Sequence, residues 1–493
     1  MDALADLAES ESNAANDKCL AGATRGRATP VVILSGFLGA GKTTLLKHVL
    51  ENVSERKVGV VVNDVAAVNV DANLVRSATR GADGKVQLVQ MQNGCACCSA
   101  SDDLFKSLRQ LSESAVFDVI LVECTGVAEP KRLWANLDVA LEEEEFTEQL
   151  RLAQLVTVVD APHFFDLFAS SDRAKDDAAK AAAVAADASA LGAEAVAAKV
   201  GQATEFAPED PTRLIADLLA EQLESADIVL LNKVDLVQAP QIEIILGLLE
   251  DMCSLATVLE TEFCKLPDVG VLLDDPKRKA AALSTEAEHK LAVAHAGRPH
   301  SSTCHSCTDD KHEHSNVGEC GNCECARPPK RARVSAASQI KSFVYRSRRA
   351  FDPKRFAAAM LERETCPPCI RQVLRSKGYC WLANHCGMAM YWSQAGSHTS
   401  LHPIGAWWAE VPRTHWPSPD MPDEILADFA APFGDRRQEL VFIGVGLDVA
   451  AISAVMDGCL LGDSEMEDLK QHCTLVEEAF HDDASPGEGA PAS

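Results

Sequence analysis

The stretch from Gly36 to Thr43 combines residue types and spacing that have a specific chemical meaning. Its sequence, GFLGAGKT, follows the pattern G-x-x-x-x-G-K-[ST] of a phosphate-binding loop. Glycines let the backbone N–H groups surround a phosphate, and the helix that begins here points its positive end at the anion. The residues that we predict to bind a nucleotide are Gly36, Gly39, Ala40, Gly41, Lys42, Thr43 and Thr44.

Lys42, Glu123 and Gly126 are the predicted catalytic residues. Lys42 is expected to reach the outer phosphates, and the Thr43 hydroxyl to bind Mg²⁺. The run DVILVECTG places Glu123 at the end of an apolar strand, where it would hold Mg²⁺ through water. Gly126 can offer its backbone N–H to the γ-phosphate. The alternative for Glu123 is a solvated carboxylate at the end of a core strand.

The sequence LLNKVDL indicates which base is bound, through Asn232, Lys233 and Asp235. A carboxylate can accept both the N1–H and the exocyclic amine of guanine. Adenine offers no such pair of donors, so the site would reject it by leaving polar groups unpaired. This favours GTP over ATP, and an ATP-using, kinase-like enzyme is the alternative.

Three thiols, Cys95, Cys97 and Cys98, lie close together in NGCACCSA. A disulfide between such near neighbours is sterically poor. Thiolates bind soft metals such as Zn²⁺ and Cu(I), so we predict a metal site with a fourth ligand from Asp64 or His163. Incidental buried cysteines and a redox role for these thiols are the alternatives.

A second group of cysteines, Cys304, Cys307, Cys320 and Cys323, has spacing that suits a four-thiolate zinc site. Few apolar residues accompany it, so a flexible metal-collecting loop is an equal alternative. The sequence Cys366-Pro-Pro-Cys369 has the spacing of a metal or redox site. No second cysteine pair accompanies it, and structural or incidental cysteines are at least as well supported.

Strand-like and helix-like runs alternate from residue 31 onward, which is typical of a parallel sheet with crossover helices. We predict an α/β fold: a P-loop NTPase domain with a mostly parallel sheet, followed by a smaller α+β domain. Asp352 and Asp448 are expected to cap helices Pro353–Glu364 and 449–461 in the second domain. The predicted strands are Val31–Leu34, Val58–Val62, Val86–Met91, Val119–Val122, Leu155–Val159 and Ile228–Leu231, then the runs IKSFVYR, GYCWLA, MAMYW and ELVFIGV.

Composition shifts divide the chain into five predicted segments. They are a disordered segment 1–28, a GTPase domain 29–255, a His/Cys-rich linker 256–337, an α+β domain 338–465 and an acidic tail 466–493. The GTPase domain carries an Ala-rich insertion at about 169–208 with no assigned function.

Charge and hydropathy exclude several classes of protein. The net charge of −27 over 493 residues argues against nucleic-acid or anionic-membrane binding. No run of about 18 apolar residues is present, which predicts no membrane span. The N-terminus lacks a hydrophobic signal, so we expect a cytoplasmic location with reduced cysteines. The basic string PPKRAR makes the nucleus the alternative.

These residues resemble the CobW-like metallochaperone GTPases, specifically a zinc-transfer type. The resemblance rests on GFLGAGKTT, VVNDVAAVNVD, NGCACC, ILVECTGVAEP, VVDAPHF and LNKVD, and on SFVYRSRRAFDPKRF, GYCWLA, WWAE and ELVFIGVGLD. It implies a dimerising GTPase domain and a smaller C-terminal domain that recognises clients. It also implies that Cys95, Cys97 and Cys98 bind metal and that Glu123 replaces the usual aspartate. Asp64 departs from the glutamate that members commonly carry.

The function that we predict is a GTPase that binds a transition metal, zinc above others, and transfers it to a client metalloprotein. Its cofactors would be GTP, Mg²⁺ and Zn²⁺. Its partners would be GTP or GDP, a client docked on the C-terminal domain, and a second copy of the chain. A nucleotide-switched metal buffer or sensor, or a cobalt-handling family member, is the alternative.

Overall fold

The computed structural model describes most of the chain from residue 28 to 476. The described residues are 28–53, 56–62, 86–90, 99–114, 117–143, 150–170, 214–274, 285–296, 339–362, 364–412, 415–416, 426 and 428–476. They form two compact units. The domain boundaries predicted above remain predictions.

The first unit is built on a seven-stranded sheet whose paired strands are all parallel. Its strand order is β3-β2-β4-β1-β5-β6-β7. The strands are β1 (Thr29–Ser35), β2 (Val58–Val62), β3 (Val86–Gln90), β4 (Val119–Glu123), β5 (Leu150–Asp160), β6 (Ile228–Asn232) and β7 (Thr257–Thr261). Strands β1, β2, β4 and β6 are continuous apolar runs and are buried, as expected of a parallel sheet covered on both faces.

Helices follow these strands along the chain. They are α1 (Lys42–Asn52), α2 (Ser99–Ser114), α3 (Pro130–Glu143), α4 (Phe164–Ala169), α5 (Ile215–Glu224), α6 (Ala239–Met252) and α7 (Gly270–Leu273). Helix α1 buries Leu45, Leu46, Val49 and Leu50 in the core of the sheet. Helix α6 groups with the second unit by its contacts.

The second unit contains a five-stranded antiparallel sheet with the order β11-β10-β9-β12-β8. Its strands are β8 (Ile340–Ser347), β9 (Arg375–Cys380), β10 (Met388–Ala395), β11 (His398–Ala406) and β12 (Gln438–Val445). Its helices include α8 (Thr285–His295), α9 (Pro353–Met360), α10 (Pro368–Arg371), α11 (Val449–Cys459) and α12 (Asp463–Leu469). Stacked and edge-on rings of Phe351, Phe356 and Trp392 form the centre of one core.

The predicted fold class is confirmed, and the two predicted caps are present. Asp352 accepts a hydrogen bond from the Arg355 N–H (2.8 Å), and Asp448 accepts one from the Ala451 N–H (3.0 Å). The helix predicted to reach Glu364 is shorter and ends at Met360. The helix closes there because the N–H groups of Leu361 and Glu362 both bond to the Ala357 carbonyl, and the second of these is a 6→1 bond of the kind that ends a helix.

Two strands, β7 and β11, were absent from the prediction. Strand β7 has only one buried residue, Thr261, and β11 has none. Both lie at an edge of their sheet, where one side has no partner strand among the described residues. An edge position tolerates polar residues and the Pro403 of β11, so no alternating apolar pattern marks either strand.

Candidate nucleotide site

The phosphate-binding loop needs glycine at Gly36, Gly39 and Gly41 for its backbone conformation. Their φ angles are 133°, 73° and 119°, a region that residues with a Cβ rarely adopt. A Cβ at Gly36 would lie 2.2 Å from the carbonyl oxygen of Val158, and one at Gly41 would lie 2.6 Å from Nδ2 of Asn232. The loop is therefore wrapped tightly between strands β1, β5 and β6.

Lys42 lies at the first position of α1 and is buried. Its Nζ donates hydrogen bonds to the carbonyl oxygens of Gly36 (2.8 Å) and Phe37 (3.1 Å). These bonds hold the ammonium group against the loop that it is predicted to serve. Of the other predicted loop residues, Ala40 is buried, whereas Gly39 and Thr44 are exposed.

Thr43 and Glu123 form the second element of the site. The Thr43 hydroxyl donates a hydrogen bond of 2.7 Å to Oε1 of Glu123, which ends β4 and is fully buried. Strand β4 pairs with β1, and Leu34 lies opposite Glu123 in this register. A hydroxyl beside a carboxylate offers the hard oxygen ligands that Mg²⁺ prefers, so these two residues fit the predicted magnesium site.

Gly126 packs directly on the phosphate-binding loop. A Cβ at this position would lie 2.5 Å from the backbone nitrogen of Leu38. Gln222, which is fully buried on α5, donates through Nε2 to the carbonyl oxygens of Gly126 (3.3 Å) and Ala128 (3.2 Å). Gln222 therefore positions the segment after β4, and no pattern in the sequence pointed to it.

Asn232, at the end of β6, joins three separate segments. Its Nδ2 donates to the Ala40 carbonyl (2.9 Å), while its Oδ1 accepts from the Cys264 N–H (2.8 Å) and the Thr261 hydroxyl (3.2 Å). The asparagine thus ties the phosphate-binding loop to the segment after β7. These bonds give Asn232 a bracing role in addition to its predicted place in the nucleotide site.

Lys233 and Asp235 lie just after Asn232. Lys233 adopts a left-handed conformation, with φ of 63°, and its Nζ lies 2.8 Å from Oδ2 of Asp160. Asp235 is exposed within the short 3₁₀ turn Val234–Leu236. An exposed carboxylate on an ordered turn is available to a base, as the prediction for Asp235 requires.

Cys264 is a further residue of this region that the sequence did not reveal. It is fully buried, and its Sγ donates to the Gly41 carbonyl at 3.3 Å. Burial raises the pKa of the Cys264 thiol to about 12, and the opposing effect of the Lys233 charge is smaller. The thiol therefore stays protonated, and its hydrogen bond to the Gly41 carbonyl stabilises the phosphate-binding loop. Its neighbour Phe263 is 65% exposed.

The predicted metal residues fall into two groups. His163 is described: its Nδ1 lies 3.1 Å from Oδ2 of Asp160, the carboxylate that also pairs with Lys233. No group of three or more His, Cys, Asp and Glu side chains in the described ranges could hold a metal ion. The residues that lie outside the described ranges are Asp64, Cys95, Cys97, Cys98, Cys304, Cys307, Cys320 and Cys323.

A parallel sheet with a glycine-rich loop between β1 and α1, and a Thr–Glu pair beside it, defines a P-loop nucleoside triphosphatase. Residues 30–260 match the family model "CobW/HypB/UreG, nucleotide-binding domain", and residues 340–460 match "Cobalamin synthesis protein cobW C-terminal domain". The chain belongs to the CobW/HypB/UreG family of GTPases and carries the CobW C-terminal domain. The predicted family and the predicted enzyme class, a GTPase, are confirmed.

Relatives extend over different shares of the chain. "Zinc-regulated GTPase metalloprotein activator 1" of Dictyostelium discoideum is 29% identical over 89% of this chain and 81% of its own length. "Zinc chaperone CobW" of Pseudomonas aeruginosa is 32% identical over 43% of this chain, and the match spans 50% of its own length. The solved Zn(II)-bound YjiA GTPase from E. coli is 17% identical and covers 88% of this chain and 100% of its own, with a TM-score of 0.30.

The names of the two relatives agree with GTP and Zn²⁺ among the predicted cofactors, and with a metallochaperone GTPase as the class of protein. The described helices include none that is both long enough and apolar enough to cross a membrane. The cytoplasmic location remains a prediction.

Proposed function

We propose that this chain is a GTP-hydrolysing metallochaperone that binds zinc at Cys95, Cys97 and Cys98 and transfers it to a client metalloprotein. The proposal includes a client that docks on the C-terminal domain and a homodimer as the working form. It also includes a second zinc site at the linker cysteines Cys304, Cys307, Cys320 and Cys323.

The observation that carries the proposal is the order of four neighbouring strands in the parallel sheet and the side of the sheet on which they end. Strands β3, β2, β4 and β1 are neighbours, and their carboxyl ends face the same way. Strand β3 ends at Gln90, five residues before Cys95, and β2 ends at Val62, two residues before Asp64. Strands β3 and β2 therefore end at the side of the sheet that holds Glu123, and Cys95 and Asp64 follow those ends in the sequence.

This order also favours Asp64 over His163 as the fourth zinc ligand. Asp64 follows β2, the direct neighbour of β3, whereas His163 follows β5, which lies four strands from β3. Four interstrand spacings of about 4.8 Å amount to roughly 19 Å. A zinc–nitrogen bond is only about 2 Å long, so the segments after β3 and β5 would both have to extend toward each other for His163 to bind, whereas Asp64 follows the neighbouring strand.

The residues of the nucleotide site have distinct proposed roles. Lys42 binds the outer phosphates, and the Gly126 N–H contacts the γ-phosphate. Thr43 and Glu123 would hold Mg²⁺, which would supply positive charge that offsets the charge of the phosphates. Asp235 binds guanine, while Asn232 and Lys233 hold the segment that carries it. Glu123 ends β4, and β4 is the neighbour of β2, which ends two residues before Asp64. A movement of Glu123 on loss of the γ-phosphate could therefore be passed to Asp64 through a single pair of strands.

The first experiment is metal analysis of the purified full chain. We expect the wild type to hold two equivalents of zinc, one of which is lost when Cys95, Cys97 and Cys98 are changed to serine together. Cys366→Ser with Cys369→Ser serves as the matched control, since those cysteines lie in the second unit. Retention of that equivalent in the triple variant would refute the proposed site.

A second experiment tests whether the two sites are coupled. Zinc affinity is measured with and without a non-hydrolysable GTP analogue, and analogue affinity with and without zinc. Linkage requires both ratios to be equal. Equal zinc affinities in the two states would contradict a GTP-driven transfer. Transfer of zinc to an apo-metalloenzyme that proceeds equally well without GTP would favour a metal buffer instead.

A further inference from the structure

Two cysteines of the second unit, Cys386 and Cys473, lie close together although they are 87 positions apart in the sequence. The Cys386 thiol donates a hydrogen bond of 2.9 Å to the carbonyl oxygen of His472, the residue bonded to Cys473. Both side chains pack in one apolar cluster around Trp381 and Trp407.

The backbone around this pair is held by a buried ion pair. Arg436, which is fully buried, pairs with Glu410 and donates to the carbonyl oxygens of Cys386 (2.8 Å) and Thr474 (3.1 Å). Glu410 in turn accepts from the Thr474 hydroxyl at 2.6 Å. Arg436 thus binds the backbone at Cys386 and next to Cys473. The packing of the domain therefore holds the two thiols close together.

We propose that Cys386 and Cys473 are a redox-active pair that forms a reversible disulfide when the chain meets a hydroperoxide. The Cys386 sulfur lies 2.9 Å from the carbonyl oxygen of the residue before Cys473, so a local adjustment of the two side chains could reach the S–S bond length of about 2.05 Å. A closed zinc site is less well supported here, since structural zinc takes four ligands and the described residues hold no group of three. The proposal is independent of the metallochaperone function.

The reaction proceeds in two balanced steps. The Cys386 thiolate attacks one oxygen of the peroxide, so that an S–O bond forms and the O–O bond breaks, and the leaving hydroxide takes a proton to become water. The sulfur of Cys473 then attacks the Cys386 sulfenic acid; the S–S bond forms, and the S–O bond breaks to release a second water. Two thiols are oxidised by two electrons in total, and one peroxide is reduced to two waters.

The environment of the pair assigns the two roles. Cys386 is the more accessible thiol, whereas Cys473 is only 9% exposed. Burial raises the pKa of the Cys473 thiol to about 12, and the neighbouring Cys386 thiol acts in the same direction. A thiol that stays protonated is a poor first nucleophile. Cys386 therefore reacts with the oxidant, and Cys473 resolves the sulfenic acid.

The disulfide would link residues 470–476, which contain Cys473, to the turn before β10, which contains Cys386. Residues 470–476 follow α12 and are held by the bonds of Thr474 described above and by the Val476 N–H, which donates to the Pro432 carbonyl at 2.8 Å. A covalent bond at Cys473 would keep this segment in place after those weaker bonds open. Oxidation should therefore slow proteolytic cleavage after α12.

The experiment treats the reduced full chain with hydrogen peroxide, blocks the remaining thiols and maps disulfide-linked peptides without reduction. We expect a Cys386–Cys473 peptide that is lighter by about 2 Da than the sum of its reduced parts and that disappears on reduction. Cys473→Ser should instead leave a Cys386 sulfenic acid that dimedone traps. Cys386→Ser should leave Cys473 largely unoxidised.

The matched control is Cys366→Ser with Cys369→Ser, a second pair in the same unit that should leave the 386–473 peptide unchanged. Equal thermal midpoints of the reduced wild type and reduced single variants would show that the serines preserve the fold. Oxidation of other cysteines without the 386–473 peptide would overturn the proposal. Protection of both thiols by one equivalent of Zn²⁺, in a variant without Cys95, Cys97 and Cys98, would overturn it in favour of a metal site.

Discussion

Side chains of the nucleotide site bond mainly to backbone atoms. Lys42 contacts two carbonyl groups of its own loop, and Asn232 contacts the loop and the segment after β7. These hydrogen bonds fix the positions of both side chains relative to the loop. At the scale of residues, this arrangement places the Lys42 ammonium group at the phosphate-binding loop.

Lys42→Ala should lower the rate of GTP hydrolysis by about 10²–10³-fold, because a preorganised positive group at the phosphates is removed. Lys47→Ala is the matched control: Lys47 lies on the same helix, is exposed, and pairs only weakly with Glu51 at 3.8 Å. Single-turnover hydrolysis compares the two variants. A similar loss of rate in both would mean that Lys42 has no specific role.

Asp235→Asn should shift the preference of the site from GTP toward xanthosine triphosphate, by a factor on the order of 10². The asparagine NH₂ would face the donors of guanine, whereas it could donate to the C2 carbonyl of xanthine. Competition binding with both nucleotides measures this ratio. Glu260→Gln, an exposed change on β7, is the control and should leave the ratio unchanged.

At the scale of elements, the glycines differ sharply in what surrounds them. Gly36 joins β1 to the phosphate-binding loop at a φ of 133°, with the Val158 carbonyl directly in the path of a Cβ. Gly458 lies inside α11, and an added Cβ there would meet nothing within 4 Å. Alanine at these two positions should therefore have opposite effects.

Gly36→Ala should abolish nucleotide binding and lower the free energy of unfolding by about 2–4 kcal/mol, because β1 and β5 must separate to admit the methyl group. Gly458→Ala should raise the free energy of unfolding by about 0.5–1 kcal/mol, through the lower entropy of the unfolded chain. Urea denaturation measures both. A destabilised Gly458→Ala variant would show that α11 has less room than its surroundings indicate.

The elements themselves follow closely from the sequence. The buried parallel strands are apolar runs that end at Glu123 and Asn232, so their type and position were predictable. Edge strands β7 and β11 were not predicted, because few of their side chains are buried and burial is what produces an apolar pattern. Gln222 and Cys264 were not predicted as site residues, because their contacts depend on tertiary packing and no local sequence pattern marks them.

At the scale of the whole molecule, one buried ion-pair region makes stability depend on pH. His289 of α8 is buried against the rings of Tyr379 and Tyr391, and its Nε2 lies 3.1 Å from Oε1 of Glu439. Burial lowers the pKa of His289, more than the hydrogen bond with Glu439 raises it; the charges of Lys377 and Arg437 also lower it.

Glu439 behaves differently within the same region. Burial raises its pKa, but hydrogen bonds from His289 and Arg346 and the charge of Arg437 outweigh that effect and lower the pKa to about 2. His289 binds a proton more readily in the unfolded chain, so acid favours unfolding as the pH falls below about 6.5. The stability that Glu439 contributes is lost as the pH falls from about 4.5 toward 2.

The second unit should therefore lose stability between pH 7 and 5, and His289→Gln should flatten this dependence by removing the titrating group. Tryptophan fluorescence follows the second unit, because five of the six tryptophans lie at positions 381–416. The measured quantity is the slope of the free energy of unfolding against pH. A simple packing defect would lower this free energy equally at every pH and leave the slope unchanged. His398→Gln is the control, and an unaltered slope in His289→Gln would contradict the assignment.

The sequence by itself determined the phosphate-binding loop, the guanine motif, the buried strands and the family, because each is expressed in contiguous residues with a fixed spacing. Tertiary structure alone decided the strand order that sets β2 between β3 and the strand of Glu123, the hydrogen bond from Asn232 to Ala40, and the closeness of Cys386 and Cys473. Those features join residues far apart in the chain, and their distances depend on sheet register and core packing. No spacing in the sequence encodes them.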